Sequence, residues 1–226
     1  MAKNKLVAPV VKWVGGKRQL IDEITPLLPK KIEFYCEPFL GGGAVLFSMQ
    51  PPKAIVNDLN RDLMIVYEVI RDNVEELIES LKKHENTADY FYEIRDMDRD
   101  QSVYQSMSKV DRASRLLYLN KTCFNGLFRV NSSGEFNSPF GHYKNPNIVN
   151  EPVLRAVNKY HTKNAITSNK TGSRYEAQHT QSTSIKLCAN MNDQRQTTQL
   201  QNTHNTTITL LHIIRQCTKQ VQTNYY

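Results

Sequence analysis

The stretch that decides the fold is E-P-F-L-G-G-G at residues 37–43. It follows a β-rich run, I-E-F-Y-C at residues 32–36, and precedes A-V-L-F-S-M at residues 44–49, which suits a buried helix. A second apolar run closes at Asn57-Asp58. Strand, glycine turn, helix and a strand that ends in an acid are the order of elements around a nucleotide-type pocket on an open α/β sheet. The sequence therefore predicts an α/β fold with such a pocket.

The glycines of this stretch suit a ligand pocket because they lack Cβ atoms. Their backbone can turn tightly and approach a ligand closely, and free N–H groups at the start of the helix would face polar ligand groups. Asp58 follows Gly41 at close to the interval of about 20 residues at which an acid reaches ribose hydroxyls. The stretch does not match G-x-G-x-x-G, which argues against an ordinary dinucleotide fold. A plain tight turn and a solvated acidic cap are the alternative interpretation.

A second glycine turn, K-W-V-G-G-K at residues 12–17, precedes apolar residues at helical spacing between Leu20 and Leu28. It contains Trp13, which is the only tryptophan of the chain. Two interpretations fit this tryptophan. It is either a core anchor flanked by lysines, or it packs beside a ligand while Lys17 meets a carboxylate.

Together these segments resemble the Dam-type (D12 class) adenine-N6 DNA methyltransferases. Residues 12–17 resemble that family's K-W-x-G-G-K motif, residues 37–43 its E-P-F-x-G-x-G loop, and Asn57-Asp58 its acid-ended second strand. The resemblance covers residues 1 to about 163, and it implies S-adenosylmethionine as the cofactor of a Rossmann-like sheet. The cofactor-binding residues that it implies are Trp13 and Lys17 near the amino-acid end, Phe39, Gly41 and Gly43 along the pocket, and Asp58 at the ribose.

A third segment, residues 118–144, has aromatic and β-branched residues on both sides of the turn S-S-G-E at residues 132–135. This pattern predicts a β-hairpin. Amide and guanidinium side chains make paired hydrogen bonds to base edges, and lysines suit phosphates. By composition alone, such a polar hairpin is more often a solvated loop. Its polar residues of interest are Asn125, Arg129, Asn131, Asn137 and His142, with Lys121 and Lys144 flanking them.

By the same resemblance, residues 118–144 are the target-recognition hairpin that reads GATC in double-stranded DNA. Asn125, Arg129 and Pro139 align with base-facing positions of that hairpin. The family commonly has arginine where His142 stands, and a histidine cannot form the full guanidinium fork that pairs with guanine. The DNA-binding residues that the resemblance implies are Lys121, Asn125, Arg129, Asn131, Pro139 and His142.

Between these motifs, apolar residues recur at helical spacing in residues 61–73, 74–81 and 111–120, and we expect these stripes in the core. The predicted organisation follows the family: the N-terminal part of the cofactor domain at residues 1–68, an inserted, mostly helical DNA-recognition domain with the hairpin at 69–149, and the return to an incomplete methyltransferase sheet at 150–163.

The residues expected to perform catalysis are missing from the sequence. The family's catalytic loop is D-P-P-Y, because a carboxylate and a backbone carbonyl must hold the adenine amino protons while an aromatic ring stacks on the flipped base. The chain has no D-P-P-Y and no N-P-P-aromatic tetrapeptide. Its only Pro-Pro pair, Pro51-Pro52, follows Gln50 and precedes the hairpin. We therefore assign no catalytic residue and predict that the chain as given is truncated or frameshifted and inactive.

The sequence changes character after about Ile166. Residues 164–226 contain twelve Thr, nine Gln and seven Asn, and only residues 208–214 form a short apolar run. Such a polar tract buries too little apolar surface to offset its ordering entropy. Two accounts fit: a polar extension that associates with nucleic acid through weak positive charge, or out-of-frame translation of an A/T-rich gene. The loss of the family pattern where the catalytic loop is due favours the second account.

Composition limits the other classes of function. The net charge of +7 suits a polyanionic partner, although more than half of it comes from the polar tail. Four cysteines and six histidines lie without the spacing of a zinc site or a disulfide framework, which fits a reducing cytoplasm. No apolar run reaches 18 residues, so no membrane span is predicted. We expect a cytoplasmic monomer that binds DNA without a metal; the alternative is a non-catalytic DNA- or cofactor-binding module.

Overall fold

The computed structural model describes residues 3–29, 32, 34–164 and, by their backbone, 166–168. The polar tail beyond residue 168 lies outside the described residues. The chain divides into two units, one of residues 1–18 and 32–170 and one of residues 19–31 and 171–226.

A parallel sheet forms the strand layer of the larger unit. Its strands are β1 (Tyr35–Glu37), β2 (Ala54–Val56) and β3 (Ile166–Ser168), in the order β1-β2-β3. Cys36 lies opposite Ile55, which lies opposite Thr167 on the next strand. The glycine loop follows the carboxyl end of β1, and Asp58 follows the carboxyl end of the neighbouring parallel strand β2. The predicted α/β class is confirmed.

Helices provide most of the described structure, and side-chain caps begin several of them. Asn60, Thr87, Ser108 and Asn150 each accept a hydrogen bond from the backbone N–H three residues later, as good N-caps do. The helices are α1 (Ile21–Ile24), α2 (Ala44–Met49), α3 (Arg61–Asp72), α4 (Val74–Lys82), α5 (Ala88–Asp96), α6 (Gln101–Ser106), α7 (Lys109–Thr122) and α8 (Glu151–Lys163). Three-residue or four-residue 3-10 turns lie at Lys17–Leu20, Thr25–Leu27 and Phe124–Gly126.

The predicted helical stripes lie in the core. Leu63 and Ile70 of α3, Leu77 of α4 and Leu117 of α7 are buried in one cluster, together with Val157 of α8. This cluster also contains residues of the N-terminal segment, so a single core joins both sides of residue 68. The domain boundaries given above remain a prediction.

A second, aromatic cluster lies beneath the recognition segment. Phe91 of α5, Tyr118 of α7, and Phe136 and Phe140 of the segment itself are buried there. Burial of aromatic side chains on both flanks of the segment holds it against the helices.

The two predicted strands of the hairpin are not regular strands. The segment instead turns back on itself with isolated antiparallel bridges, Cys123 to Phe140 and Val130 to Phe136. Asn125 and Gly126 adopt left-handed backbone angles, with φ of 57° and 64°. A strand cannot continue through such residues, which explains why the extended pattern is broken near its start.

The smaller unit begins with residues 19–31. The predicted helical pattern between Leu20 and Leu28 is realised as the four-residue α1, followed by the 3-10 turn Thr25–Leu27. Pro26 lies in that turn and has no N–H to continue the α-helical hydrogen bonds, so the helix stays short. No helix within the described ranges is long and apolar enough to cross a membrane.

Candidate functional site

The ammonium of Lys17 links the first glycine turn to the second. Its Nζ donates hydrogen bonds to Glu37 Oε1 at 2.7 Å and to the carbonyl oxygen of Phe39 at 2.6 Å. An ammonium has three N–H donors, so one remains for a further acceptor. Lys17 does meet a carboxylate in this structure, and that carboxylate belongs to the protein itself.

Glu37 is the buried charge of the site, with 5% of its surface exposed. Burial raises the pKa of its carboxyl above the ordinary value, and the nearby Lys17 ammonium opposes that rise. Its Oε2 is buried and accepts no hydrogen bond of good geometry from the described residues, although the Tyr35 hydroxyl and the Leu46 N–H lie near the carboxyl. A buried acceptor that lacks a well-formed hydrogen bond is costly, so this oxygen is an under-satisfied polar atom of the site.

Glu37 lies in the glycine-loop motif, but the motif alone assigned it no role. The signal that could have found it is its place directly after β1, at the carboxyl edge of a parallel sheet. Ligands of open α/β sheets bind outside that edge.

The glycine loop is fastened to the end of β2 by Asp58. Asp58 Oδ2 accepts from the Gly41 N–H at 2.8 Å, and its Oδ1 accepts from the Asn60 N–H at 3.0 Å. The Gly43 N–H donates to the Leu40 carbonyl at 2.9 Å. The expectation of free N–H groups is therefore wrong for Gly41 and Gly43, because the loop uses them to hold its own shape. Asp58 retains lone pairs for further donors, since a carboxylate offers about four acceptor sites.

Two glycines of the loop have backbone angles that other residues adopt only under strain. The φ of Gly41 is 54° and that of Gly43 is 71°. A Cβ on Gly43 would lie 2.6 Å from Cε2 of Phe47, and a Cβ on Gly41 would lie 3.3 Å from Cδ1 of Trp13. The Trp13 ring therefore packs directly on the loop.

Aromatic residues flank the loop on its outer side. Phe39 is 42% exposed, a large fraction for an aromatic ring beside a buried carboxylate. Trp13 is half-buried and stacks on Phe128, with ring centroids 4.7 Å apart and planes at 21°. These contacts bring together all six residues predicted to bind a cofactor: Trp13, Lys17, Phe39, Gly41, Gly43 and Asp58.

In the recognition segment, the turn at Asn125 presents two exposed side chains. Asn125 itself is exposed, and its carbonyl oxygen accepts from Lys12 Nζ at 2.6 Å. Phe124, which sequence reasoning passed over, is 54% exposed. An exposed aromatic ring beside a polar, left-handed residue is suited to stacking on a nucleic-acid base.

Arg129 and Asn131 differ in how many of their polar groups form hydrogen bonds within the protein. Arg129 is exposed, and the one hydrogen bond that it makes to the described residues is a long one, 3.4 Å, from its Nε to Asn137 Oδ1. The carboxamide of Asn131 holds the hairpin turn instead: its Oδ1 accepts from the N–H groups of Ser133 and Glu135, and its Nδ2 donates to Glu135 Oε2. Arg129 is therefore free to bind a ligand, whereas Asn131 is occupied.

The remaining three predicted positions lie toward the base of the segment. The carbonyl of Pro139 accepts from the Phe124 N–H at 2.8 Å, which brings it beside the Asn125 turn. His142 is exposed, has a φ of 53° and packs edge-on against Phe140. Lys121 is half-buried at the end of α7, and burial lowers the pKa of its ammonium. The part of the chain that the structure describes holds no cluster of metal-ligating side chains.

Comparison with known proteins shows a family match and several similar proteins. The model of the D12 class of N6 adenine-specific DNA methyltransferases matches residues 13–188, which extends past residue 163. The chain is 44% identical over 169 residues to the type II methyltransferase M1.LlaDCHI of Lactococcus lactis subsp. cremoris, covering 74% of this chain and 59% of that protein. It is 42% identical over 171 residues to M.MjaIII of Methanocaldococcus jannaschii, covering 68% and 58%. A DNA adenine methylase of Haemophilus influenzae is 40% identical over 141 residues, covering 60% and 48%.

Proposed function

Because the chain belongs to the D12 class of N6 adenine-specific DNA methyltransferases, we propose that it carries the cofactor-binding and target-recognition parts of such an enzyme. The reaction is methyl transfer from S-adenosylmethionine to adenine N6 in double-stranded DNA, at GATC. The chain spans 59% and 58% of the length of two curated relatives. The activity of a whole enzyme is therefore part of the proposal.

The observation that carries the proposal is the pairing of an unsatisfied acceptor with an unused donor. Glu37 Oε2 accepts no hydrogen bond of good geometry from the described residues, and the Lys17 ammonium beside it has an N–H to spare. An amino acid offers the complementary pair, an ammonium and a carboxylate. S-adenosylmethionine has such an end, and when bound it supplies the methyl group. The residues present therefore fit this cofactor.

The other end of the pocket suits a nucleoside. Phe39 offers an exposed ring on which a flat base can stack. Asp58 lies close by, because it binds the Gly41 N–H within the same loop, and its remaining lone pairs can accept from ribose hydroxyls. Gly41 and Gly43 let the loop pack closely on the rings of Trp13 and Phe47, which holds the loop in its turned shape.

For DNA, the support comes from the exposed polar groups of the recognition segment. The Nη atoms of Arg129 make no hydrogen bond to the described residues, so its guanidinium can form the fork that pairs with guanine O6 and N7. Asn125 presents an amide, and the neighbouring Phe124 presents a ring for stacking. In this proposal Asn131 keeps the turn in shape, while Lys121, Pro139 and His142 lie along the duplex.

The proposal holds that these 226 residues do not complete the reaction. Adenine N6 is a poor nucleophile, and the D-P-P-Y loop that would hold its protons does not occur in the sequence. The chain is then a binder of cofactor and DNA, which is also what the alternative, a non-catalytic module, requires. Translation of the other two reading frames of the gene distinguishes these two accounts. An Asp-Pro-Pro-Tyr encoded in another frame beyond residue 163 identifies a frameshifted enzyme.

The test combines binding with turnover on the purified full chain. Titration calorimetry with S-adenosylhomocysteine and fluorescence anisotropy with labelled duplexes measure the two affinities. Tritiated S-adenosylmethionine and GATC duplex measure methyl transfer, beside an active adenine methylase as positive control. We expect binding of the cofactor product, preference for GATC over a scrambled duplex, and no incorporation of tritium. Absence of cofactor binding would overturn the proposed function, and incorporation into adenine would overturn the claim of inactivity.

A further inference from the structure

A buried carboxamide joins the cofactor side of the molecule to the recognition segment. Asn120 lies in the last turn of α7 and is only 2% exposed. Its Oδ1 accepts from the backbone N–H of Lys12 at 2.9 Å. Its Nδ2 donates to the carbonyls of Lys12 at 2.8 Å and of Gly126 at 3.0 Å. One side chain thus binds both backbone groups of Lys12 and the recognition turn.

The position of this asparagine needs a tertiary explanation. Asparagine is a poor helix former, because its amide competes for backbone hydrogen bonds. At Asn120 the amide is buried with its oxygen and nitrogen both bonded, an arrangement that fixes its neighbours strongly in a low dielectric. All three of its bonds go to Lys12 and Gly126, which lie outside its own helix.

Two further contacts run in parallel with it. Lys12 Nζ donates to the Asn125 carbonyl at 2.6 Å, and Trp13 stacks on Phe128 with 4.7 Å between the ring centroids. Residues 125–128 are therefore connected to the dipeptide Lys12-Trp13 by two direct contacts and by the Asn120 bridge. Trp13 in turn packs on Gly41, so the connection reaches the glycine loop.

We propose that Asn120 is a positioning residue that couples the two sites: it transmits the order that a ligand imposes on Lys12-Trp13 to the recognition turn at Asn125-Gly126. This inference rests on the proposed function and deepens it. A cofactor held against Trp13 fixes the Lys12 backbone, and Asn120 then fixes the turn. DNA binds a turn whose ordering entropy is already lost, so each ligand strengthens the binding of the other.

The experiment measures the coupling directly on the full chain. The dissociation constant for a labelled GATC duplex is determined with and without saturating S-adenosylhomocysteine. We expect the cofactor product to tighten DNA binding by about five-fold or more, within the usual range of about 5- to 150-fold. In Asn120→Ala the ratio of the two constants falls toward one.

Asn158→Ala is the matched control. The Asn158 amide also bonds two backbone carbonyls, those of Ile70 and Arg71, at 2.9 and 2.8 Å, and it touches neither site. Both variants lose thermal stability, but only Asn120→Ala loses the coupling ratio. A role of Asn120 in stability alone would leave its ratio at the wild-type value.

A second variant tests the coupling independently, in case Asn120→Ala fails to fold. Phe128→Leu removes the ring stack on Trp13 and leaves the three bonds of Asn120 intact, and we expect it to lower the ratio partly. A wild-type ratio of one, with both ligands bound, overturns this inference alone, and so does a wild-type ratio in Asn120→Ala. Failure of the wild-type chain to bind either ligand overturns the proposed function as well.

Discussion

The carboxylate of Asp98 accepts a hydrogen bond at 2.8 Å from the backbone N–H of Phe136, 38 residues further along the chain. The same buried carboxylate binds Arg99 Nη1 at 2.7 Å and Arg115 Nη2 at 2.8 Å. Arg99 Nη2 also donates to the Phe136 carbonyl at 2.7 Å. Both backbone groups of Phe136 are therefore held by charged side chains, and the returning half of the recognition segment is anchored to the helices at this residue.

Removing the Asp98 carboxylate should lower the free energy of unfolding far more than removing a neighbouring surface charge. Asp98→Ala leaves the Arg115 guanidinium buried without its carboxylate, a change that typically costs about 3–5 kcal/mol. Asp96→Ala, which removes a half-exposed acid paired with Arg95 and Arg99, should cost about 1 kcal/mol or less. Urea unfolding measures both free energies. Equal losses would contradict the anchoring role.

The glycine loop provides a prediction about steric demand. Gly43→Ala places a side chain at a φ of 71° and 2.6 Å from the Phe47 ring. Gly134→Ala has a comparable φ of 83° and no atom within 4 Å of the new Cβ. The backbone strain of about 1–2 kcal/mol is common to both, and the clash adds about 1–3 kcal/mol in Gly43→Ala alone. Comparison of their unfolding free energies tests this difference, and a smaller loss in Gly43→Ala would refute it.

The amino-acid end of the proposed cofactor pocket can be tested by charge removal. Lys17→Met deletes the donor beside Glu37, and the loss of a charge-assisted hydrogen bond, about 1.5–3 kcal/mol, should weaken S-adenosylhomocysteine binding by about 10- to 150-fold. Lys83→Met, at an exposed lysine, is the control and should leave the affinity unchanged. Calorimetric titration measures both. An unchanged affinity for S-adenosylhomocysteine in Lys17→Met would show that Lys17 does not line the cofactor pocket.

Recognition of guanine by Arg129 predicts a loss of discrimination and not only of affinity. Arg129→Ala should reduce the preference for GATC over a duplex with one altered base pair by about 1–3 kcal/mol. Lys144→Ala, at an exposed flanking lysine, should weaken binding to both duplexes equally and reduce the salt dependence. Anisotropy titrations with the two duplexes provide the comparison. If both variants weaken binding uniformly, Arg129 contacts only the DNA backbone.

The half-buried His84 and the buried His161 predict how stability depends on pH. Burial lowers the pKa of His84 to about 4 and, together with Arg71, that of His161 to about 4. In the unfolded chain a histidine takes up its proton near pH 6.5. Between these pH values the unfolded state binds more protons than the folded state. The contribution of the two neutral histidines to the free energy of unfolding is therefore fully present above about pH 6.5 and falls as the pH drops toward 4.

His161→Leu should flatten this dependence, because Nε2 of His161 has no partner among the described residues and the variant cannot titrate. His142→Gln changes an exposed histidine and should leave the slope as in the wild type. Urea midpoints at pH 7, 6, 5 and 4.5 measure the slopes. An unchanged slope in His161→Leu would assign the acid sensitivity to other groups.

Features that depend on neighbours along the chain could be predicted from the sequence. The apolar stripes of α3 and α4 and the glycine turns are set by residues a few positions apart, and the structure confirms them. The family could be recognised for the same reason, because its motifs are short and contiguous.

Features that depend on distant residues could not be predicted. Nothing near Asn120 in the sequence indicates Lys12, 108 residues away, as its partner. The buried Oε2 of Glu37 and the use of the Gly41 N–H by Asp58 emerge only when separate loops meet. Aromatic and β-branched residues on both sides of the turn at residues 132–135 predicted two strands, but residue type does not reveal the left-handed angle of Asn125 that ends the first of them.

The last helix of the described core has a consequence for the order in which the chain is made. Tyr160 of α8 donates to the Pro51 carbonyl at 2.9 Å, and Val157 fills the cluster formed by α3, α4 and α7. A nascent chain released from the ribosome up to α7 therefore leaves the flank of β2 and α3 uncovered. We therefore expect closure of the core to wait for α8, so that the larger unit completes its folding during synthesis only after residues 151–163 emerge.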